Sequence, residues 1–345
     1  MKVTSKTRIV AAACMVIAAS LSCGGQAFAG PLGSGPVPMS ARADEKMREL
    51  AVQQMYAGNM EIALETLNEV IALNPNNAQA YYDRGMVHEY LGDLSAARSD
   101  LSLAIQLSTK FGAAHVERAK IFLAQHLYQD ALADLAIAMN DKEQGLRATY
   151  WRGRCYYAMG KTDKAETDLT YVMQRFQELN DKDAYDVARV FLSKVFHQDG
   201  LTAAIKGDYA RAIASYNRAL QLNPESAGTL LDRAIAEDAT GDENNALSDL
   251  NSVIAKAPLI GDAHTQRGNI LFKMNQIEAA EREYIVALQI DPRDADAHYA
   301  KGRCLQILGY RDLAMKEFKA AKTLYAYVEN SEGMQAADSR ISELA

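Results

Sequence analysis

Cysteine, tryptophan and proline are all scarce in this chain. It has 4 cysteines in 345 residues, two of them before residue 30, and no Cys-x-x-Cys. That spacing excludes a zinc ribbon or a disulfide-stapled scaffold. Its 7 prolines and 21 glycines exclude collagen-like and proline-rich classes. A basic excess is also missing: 37 Lys and Arg face 44 Asp and Glu, for a net charge of −7. An acidic surface repels phosphate backbones, which argues against nucleic acid as a ligand. No His-Glu-x-x-His and no Gly-x-Ser-x-Gly occurs. Gly160-Lys161-Thr162 ends like a phosphate loop, but Cys155 stands where that loop needs its first glycine. These absences argue against an enzyme and against a bound cofactor or metal.

Past residue 29 no apolar run is long enough to suggest a membrane span. The first 29 residues differ from the rest. Lys2, Lys6 and Arg8 precede an uncharged, mostly apolar stretch from Ile9 to Leu21, and Ala27-Phe28-Ala29 follows. This is the pattern of a bacterial export signal over 1–29, cut before Gly30. Cutting there removes three bases and no acid, taking the net charge to −10. A competing reading makes Cys23 the lipid-modified first residue of an outer-membrane lipoprotein, although Ser20 sits where a lipobox wants an aliphatic residue. A linker follows over 30–43, rich in Gly and Pro up to Pro38. The expected location is the periplasm or the medium.

What the rest of the chain has is repetition. A 34-residue ruler fits windows starting at 44, 78, 112 and 146, then, after 13 residues at 180–192, at 193, 227, 261 and 295. Slot 20 is Ala in all eight windows, from Ala63 to Ala314. Slot 8 is only Gly or Ala, slot 27 only Ala or Val, and slot 24 is Leu, Tyr or Phe. Small residues at 8 and 20 let two helix axes approach, and the large residue at 24 fills the space beside them. Slot 15 is Gly except at His126 and Asn275, which predicts a left-handed helix end. Pro75, Pro224, Pro258 and Pro292 fill slot 32 and stop the second helix.

This pattern resembles the tetratricopeptide repeat over residues 44–328. The resemblance implies an all-α, right-handed solenoid of eight helix pairs, the first helix of each pair lining the inner face. Two blocks of four, 44–179 and 193–328, flank the helical insert 180–192, which is expected to extend the first helix of the fifth repeat and to offset the two halves. Residues 329–345 read as a capping helix, with Met334, Ala337, Ile341 and Leu344 at helical spacing.

The chain departs from the family at slot 7, where Leu is usual. Six windows carry a base there, at Arg84, Arg118, Arg152, Arg233, Arg267 and Lys301. The same six carry an acid at slot 23, at Asp100, Asp134, Asp168, Asp249, Glu283 and Glu317. The other two windows lack both partners, having Leu50 with Thr66 and Asp199 with Ser215. Base and acid appear and vanish together, which predicts an ion pair tying the two helices of each repeat. Cys155 and Cys304, both in slot 10, are expected to be reduced packing residues. His115, His264 and His298 share slot 4, where the repeat needs bulk, and packing is their expected role.

Binding is then left to the inner face. The slots that the family turns inward carry Tyr56, Tyr82, Tyr90, Tyr150, Trp151 and Tyr157 in the first block, with Lys120, Arg147 and Arg154 among them. Aromatic and arginine side chains are the common anchors of protein interfaces. The second block offers Asp232, Asp238, Asp262, Thr265, Gln266 and Asn269. The family's clamp for a chaperone tail needs a base at slot 5 and Asn at slot 9, and Thr265 beside Asn269 breaks that pattern. The expected function is a non-catalytic scaffold of the bacterial cell envelope, the alternatives being an outer-membrane lipoprotein, lipidated on Cys23, that assists assembly of an envelope machine, and an enzyme or regulator with a small-molecule pocket. The scaffold's partner would be an extended peptide or a partner helix, with an acidic segment or a C-terminus favoured by the bases. Tyr82, Tyr90, Lys120, Arg147, Tyr150, Trp151, Arg154 and Tyr157 are the expected contacts.

Overall fold

The computed structural model describes residues 39–345, and side chains from residue 43. The expected export signal over 1–29, with Cys14 and Cys23, and residues 30–38 of the expected linker lie outside the described residues. Seventeen α-helices follow one another, with no strand among the described residues. The first eight are α1 Met39–Tyr56, α2 Met60–Leu73, α3 Ala78–Leu91, α4 Leu94–Leu107, α5 Gly112–Ala124, α6 Tyr128–Ala138, α7 Gly145–Ala158 and α8 Thr162–Glu178. Then come α9 Lys182–Ile205, α10 Tyr209–Leu222, α11 Ala227–Ala239, α12 Glu243–Lys256, α13 Gly261–Lys273, α14 Ile277–Ile290, α15 Ala295–Ile307, α16 Arg311–Tyr327 and α17 Ser331–Leu344. The helix α1 begins at Met39, so the last five residues of the expected linker are helical. Residues 182–192 of the insert and the start of the 193 window form one continuous helix, α9. The chain divides into two compact units, one ending at Leu192 and one beginning at Ser193.

Local chemistry sets the helix ends. Asn77, Asp93, Asp208, Ser226, Asp242, Asp294 and Asn330 each accept a hydrogen bond from a backbone N–H of the following first turn. Slot 15 is left-handed in every window: Gly58, Gly92, Gly160, Gly207, Gly241 and Gly309 have φ from 71° to 86°, and His126 and Asn275 both have φ 60°. The two exceptions therefore accept the same backbone at a steric cost that Gly avoids.

Packing follows the slots. The alanine of slot 20 is fully buried in all eight windows, and slot 27 is buried throughout. Slot 8 lies against slot 24 of the same repeat. A Cβ placed on Gly153 would stand 3.0 Å from Leu169 Cγ, on Gly268 2.6 Å from Tyr284 Cε1, and on Gly302 2.8 Å from Phe318 Cε1. Consecutive helices pack on one another from α1 to α8 and from α10 to α17, and the odd-numbered helices also touch at α1–α3, α5–α7, α11–α13 and α13–α15. Apolar clusters accordingly form in series, each drawn from neighbouring helices, such as Ala51, Leu67, Val70 and Val87 across α1 to α3.

All six slot 7 to slot 23 ion pairs are present. The separations are 2.7 Å for Arg84–Asp100, Arg118–Asp134, Arg233–Asp249 and Arg267–Glu283, 2.6 Å for Arg152–Asp168 and 2.9 Å for Lys301–Glu317. In the fifth window the positions stay bonded with the acid on the other helix, as Ser215 Oγ donates to Asp199 at 2.6 Å. Slot 7 also reaches backward. Arg84, Arg118, Arg233 and Arg267 donate to Asn68, Ser102, Asn217 and Asn251, the slot 25 residues of the preceding repeats. Cys155 and Cys304 are free and buried.

Candidate binding face

The odd-numbered helices of the first unit share one face, and it carries a charge network that the repeat pattern does not announce. Glu117 of α5 is 0% exposed. It receives Lys120 from one turn along its own helix and Arg147 from α7. Lys120 also pairs with Glu89 of α3 at 3.2 Å. Burial alone pushes the Glu117 carboxyl up, but the two adjacent cations outweigh it and hold it below the ordinary carboxylate range. Burial disfavours the charged forms of Lys120 and Arg147, yet their acids hold both above their ordinary values. Burial, opposed by Lys120 and reinforced by Glu117, raises Glu89. Tyr82 hydrogen-bonds Arg147 and lies 5.0 Å, ring to ring, from Phe111, and burial pushes its phenol up.

Lys120 and Arg147 were expected as bases available to a partner. They are instead neutralised by Glu117 and Glu89, two charges against two. Sequence reasoning passed over both acids, although Glu117 stands three residues before Lys120, a spacing that puts them on one side of a helix. Glu89 Oε2 and Arg147 Nε are buried without a hydrogen-bond partner. The network therefore keeps one acceptor and one donor unsatisfied on this face.

Beside the network stand the aromatic residues of α7. Tyr150 is only 6% exposed, so it supports the face from beneath and offers little contact area of its own. Its ring meets Trp151 edge-on at 5.8 Å and Phe191 of α9 at 6.1 Å, and Tyr157 meets Phe191 at 5.3 Å. Trp151, Tyr157 and Phe191 are half-buried. The guanidinium of Arg154 lies 4.2 Å over Trp151, 5.0 Å over Phe191 and 5.8 Å over Tyr150, and Lys120 Nζ lies 5.6 Å from the Trp151 ring centre. Phe191, from the insert, was not among the expected contacts. Tyr90 packs against the cluster of α1 to α3, apart from the Trp151 group, and Tyr56 is exposed at the end of α1. The eight expected residues thus separate into a neutral network (Tyr82, Lys120, Arg147), an aromatic platform (Tyr150, Trp151, Tyr157), its cation Arg154, and Tyr90 elsewhere.

The corresponding face of the second unit is more polar and mostly satisfied internally. A cleft of about 530 Å³ is lined by Asp238, Asn269, Phe272, Lys273, Tyr284, Ala300 and Arg303. Lys273 pairs with Asp238 at 2.6 Å, Tyr284 donates to Asn269 at 2.9 Å, Thr265 donates to Asp294 at 2.9 Å, and Arg303 lies 4.3 Å over Phe272. The slot 4 histidines do more than fill space. Nδ1 of His115, His264 and His298 lies 2.8, 2.9 and 2.6 Å from Asp134, Glu283 and Glu317, the slot 23 acids of the same repeats. No group of three or more metal-ligating side chains occurs among the described residues.

Serial helix pairs with small residues at each crossing define a helical-repeat protein. Family models described as tetratricopeptide repeats match residues 48–110, 116–175 and 200–259, and a further TPR repeat model matches 268–308. The chain belongs to the tetratricopeptide repeat family. It is 22% identical over 301 residues to a TPR repeat-containing protein of Methanocaldococcus jannaschii, a span covering 81% of this chain and 50% of that protein. It is 25% identical over 251 residues to the Hsp70-Hsp90 organizing protein of Triticum aestivum, covering 71% of this chain and 39% of that protein. The chain spans half or less of the length of these relatives. Among solved structures, the C-terminal part of a TPR repeat-containing protein from Cytophaga hutchinsonii superposes with a TM-score of 0.57 at 19% identity, covering 73% of this chain and 98% of that one.

Proposed function

We propose that the protein is a non-catalytic interaction scaffold that holds an extended peptide or a partner helix on the odd-helix face of α3, α5 and α7. The observation that carries this reading is the half-buried platform of Trp151, Tyr157 and Phe191. It lies next to the neutral network of Glu89, Glu117, Lys120 and Arg147. Rigid aromatic area beside the N–H donors of Arg154 suits a peptide, which brings both apolar side chains and acceptors to bond. An acidic segment is the favoured partner, because Arg154 is the remaining cation once Lys120 and Arg147 are paired. The wheat relative is named as an organiser of two other proteins, which agrees with a scaffold role.

The proposed setting is the bacterial cell envelope, on the strength of the basic, apolar and small-residue order in residues 1–29. Mass spectrometry of the mature N-terminus tests it: an unmodified Gly30 is expected, and a lipid on Cys23 would replace the free periplasmic form with an anchored one. The binding face is tested with a photo-reactive phenylalanine analogue at Tyr157, against one at the exposed Tyr171 of α8. Adducts with envelope polypeptides should form at Tyr157 and be absent at Tyr171. Equal labelling at both would remove this face from consideration.

A further inference from the structure

Three of the bases around the platform differ in one respect. Lys120 and Arg147 are matched by Glu89 and Glu117. Arg154 has no carboxylate partner among the described residues. It is half-buried, and its guanidinium is held against the rings of Trp151, Phe191 and Tyr150. Stacking covers the faces of a guanidinium and leaves its five N–H donors pointing outward in the plane. A planar cation fixed by rings has already lost much of the rotamer freedom that a free arginine loses on pairing. Apolar surroundings also strengthen its attraction for an anion relative to open solvent.

Resting on the binding face proposed above, we propose that Arg154 is the specificity-determining residue of that face. It selects a side-chain carboxylate, from Asp or Glu within an extended segment, whose neighbouring apolar residue lies on Trp151. The charge balance supports one carboxylate and no more. The network contributes zero net charge and Arg154 contributes one, so a second acid would find no free cation among these groups. A chain terminus fits less well, since its carboxylate and a flanking acid would bring two negative charges to one available cation. This arrangement differs from the family's tail clamp, which is built from a base and an Asn on one helix.

Trp151 is the only tryptophan of the chain, so its emission reports on this site alone. The experiment selects twelve-residue peptides from a random phage library in which the peptide C-terminus is fused and therefore not free. Binders are then titrated by Trp151 fluorescence, as selected and with each Asp or Glu changed to Asn or Gln. The expected result is enrichment of one acidic position and at least a tenfold loss on its neutralisation. In Arg154→Gln that loss should shrink below twofold, and in Arg154→Lys it should partly return. Melting curves confirm that both variants are folded. Peptides that shift Trp151 emission but bind equally without the acid, or whose discrimination survives in Arg154→Gln, would overturn the role of Arg154 and leave the face intact. Binders that leave Trp151 emission unchanged would overturn both.

Discussion

At the residue scale, the contact between slots 8 and 24 explains a covariation inside this one chain. The three repeats with an aromatic ring at slot 24, Tyr216, Tyr284 and Phe318, all have Gly at slot 8, at Gly200, Gly268 and Gly302. Where slot 24 is Leu, slot 8 is Ala in three windows and Gly in two. A ring fills the volume that a methyl would need, and a Leu crowds it less, with Cγ at 3.0–3.1 Å against at most 2.8 Å for the nearest ring carbon. Gly268→Ala should therefore cost about 1–3 kcal/mol, the range for overpacking, whereas Gly153→Ala, 3.0 Å from Leu169 Cγ, should cost less. Adding Tyr284→Leu to Gly268→Ala should recover most of the loss. Urea denaturation of the four variants checks this, and additive losses in the double variant would contradict it. The slot 4 histidines give a pH signature at the same scale. His298 Nδ1 faces Glu317, and Nε2 lies 3.2 Å from the Pro292 carbonyl, so both acceptors favour the doubly protonated ring. The hydrogen bond to Glu317 raises His298 above its ordinary 6.5 despite burial and the nearby Lys301. Burial would raise Glu317, but His298 and Lys301 bring it down to about 2. Stability from His298 is full below 6.5 and is lost as pH rises through its raised value. Stability from Glu317 is full above the ordinary 4.5 and is lost as pH falls toward 2. The pair should thus stabilise most between about 4.5 and 6.5. The gap in urea midpoint between wild type and His298→Gln should be wider at pH 5.5 than at pH 8.5, and a gap that widens at high pH would reverse the assignment.

At the element scale, the slot 7 bases join helices in two directions. Within a repeat the base pairs with slot 23, and in four cases it also bonds slot 25 of the repeat before. Arg152 lacks the second bond because Ala136 occupies that position, which makes it a natural control. Arg152→Leu leaves Asp168 buried without its partner and should cost about 2–3 kcal/mol, below the full penalty of a deeply buried pair because Arg152 itself is partly solvated. Changing Asp168 to Leu as well should recover much of it. Arg84→Leu should cost about 1 kcal/mol more than Arg152→Leu, since it also breaks the bond to Asn68. Asn68→Ala should abolish that excess. If Arg84 and Arg152 prove equal, the inter-repeat bond contributes nothing. The ion pairs were legible in the sequence because a local rule, base at 7 with acid at 23, recurs six times. The backward bond was not, because slot 25 varies between Asn, Ser, Ala, Thr, Ile and Lys and shows no pattern until the helices are stacked. The candidate face was legible only in part for the same reason. Slot position puts Trp151 and Lys120 on one face, but whether a base is free depends on acids from other helices. Glu89 and Phe191 reach the site from α3 and α9, at spacings that no single repeat contains.

At the scale of the whole molecule, the chain is a series of local contacts. Within each unit consecutive helices meet, and the buried clusters among the described residues draw on helices close in sequence. In such a series stability is the sum of repeat terms and nearest-neighbour terms, so a disturbance at one end should fade with distance. The C-terminal helix α17 is the place to test this. It covers the last pair through Ile341 and Leu344 against Leu305 and Phe318, through Lys322–Asp338 at 2.6 Å, and through Arg311 donating to the Leu344 carbonyl at 2.7 Å. Ending the chain at Asn330 exposes Phe318, Leu305 and Tyr325 to water. At roughly 25 cal/mol per Å² of apolar surface this amounts to a few kcal/mol, comparable with the stability of one repeat pair. Hydrogen exchange should then quicken most in α15 and α16, less in α13 and α14, and not measurably in α1 to α6. A truncation that loosens α1 to α6 as much as α15 and α16 would show that the chain unfolds as a single cooperative body, and that the serial picture of its energetics is wrong.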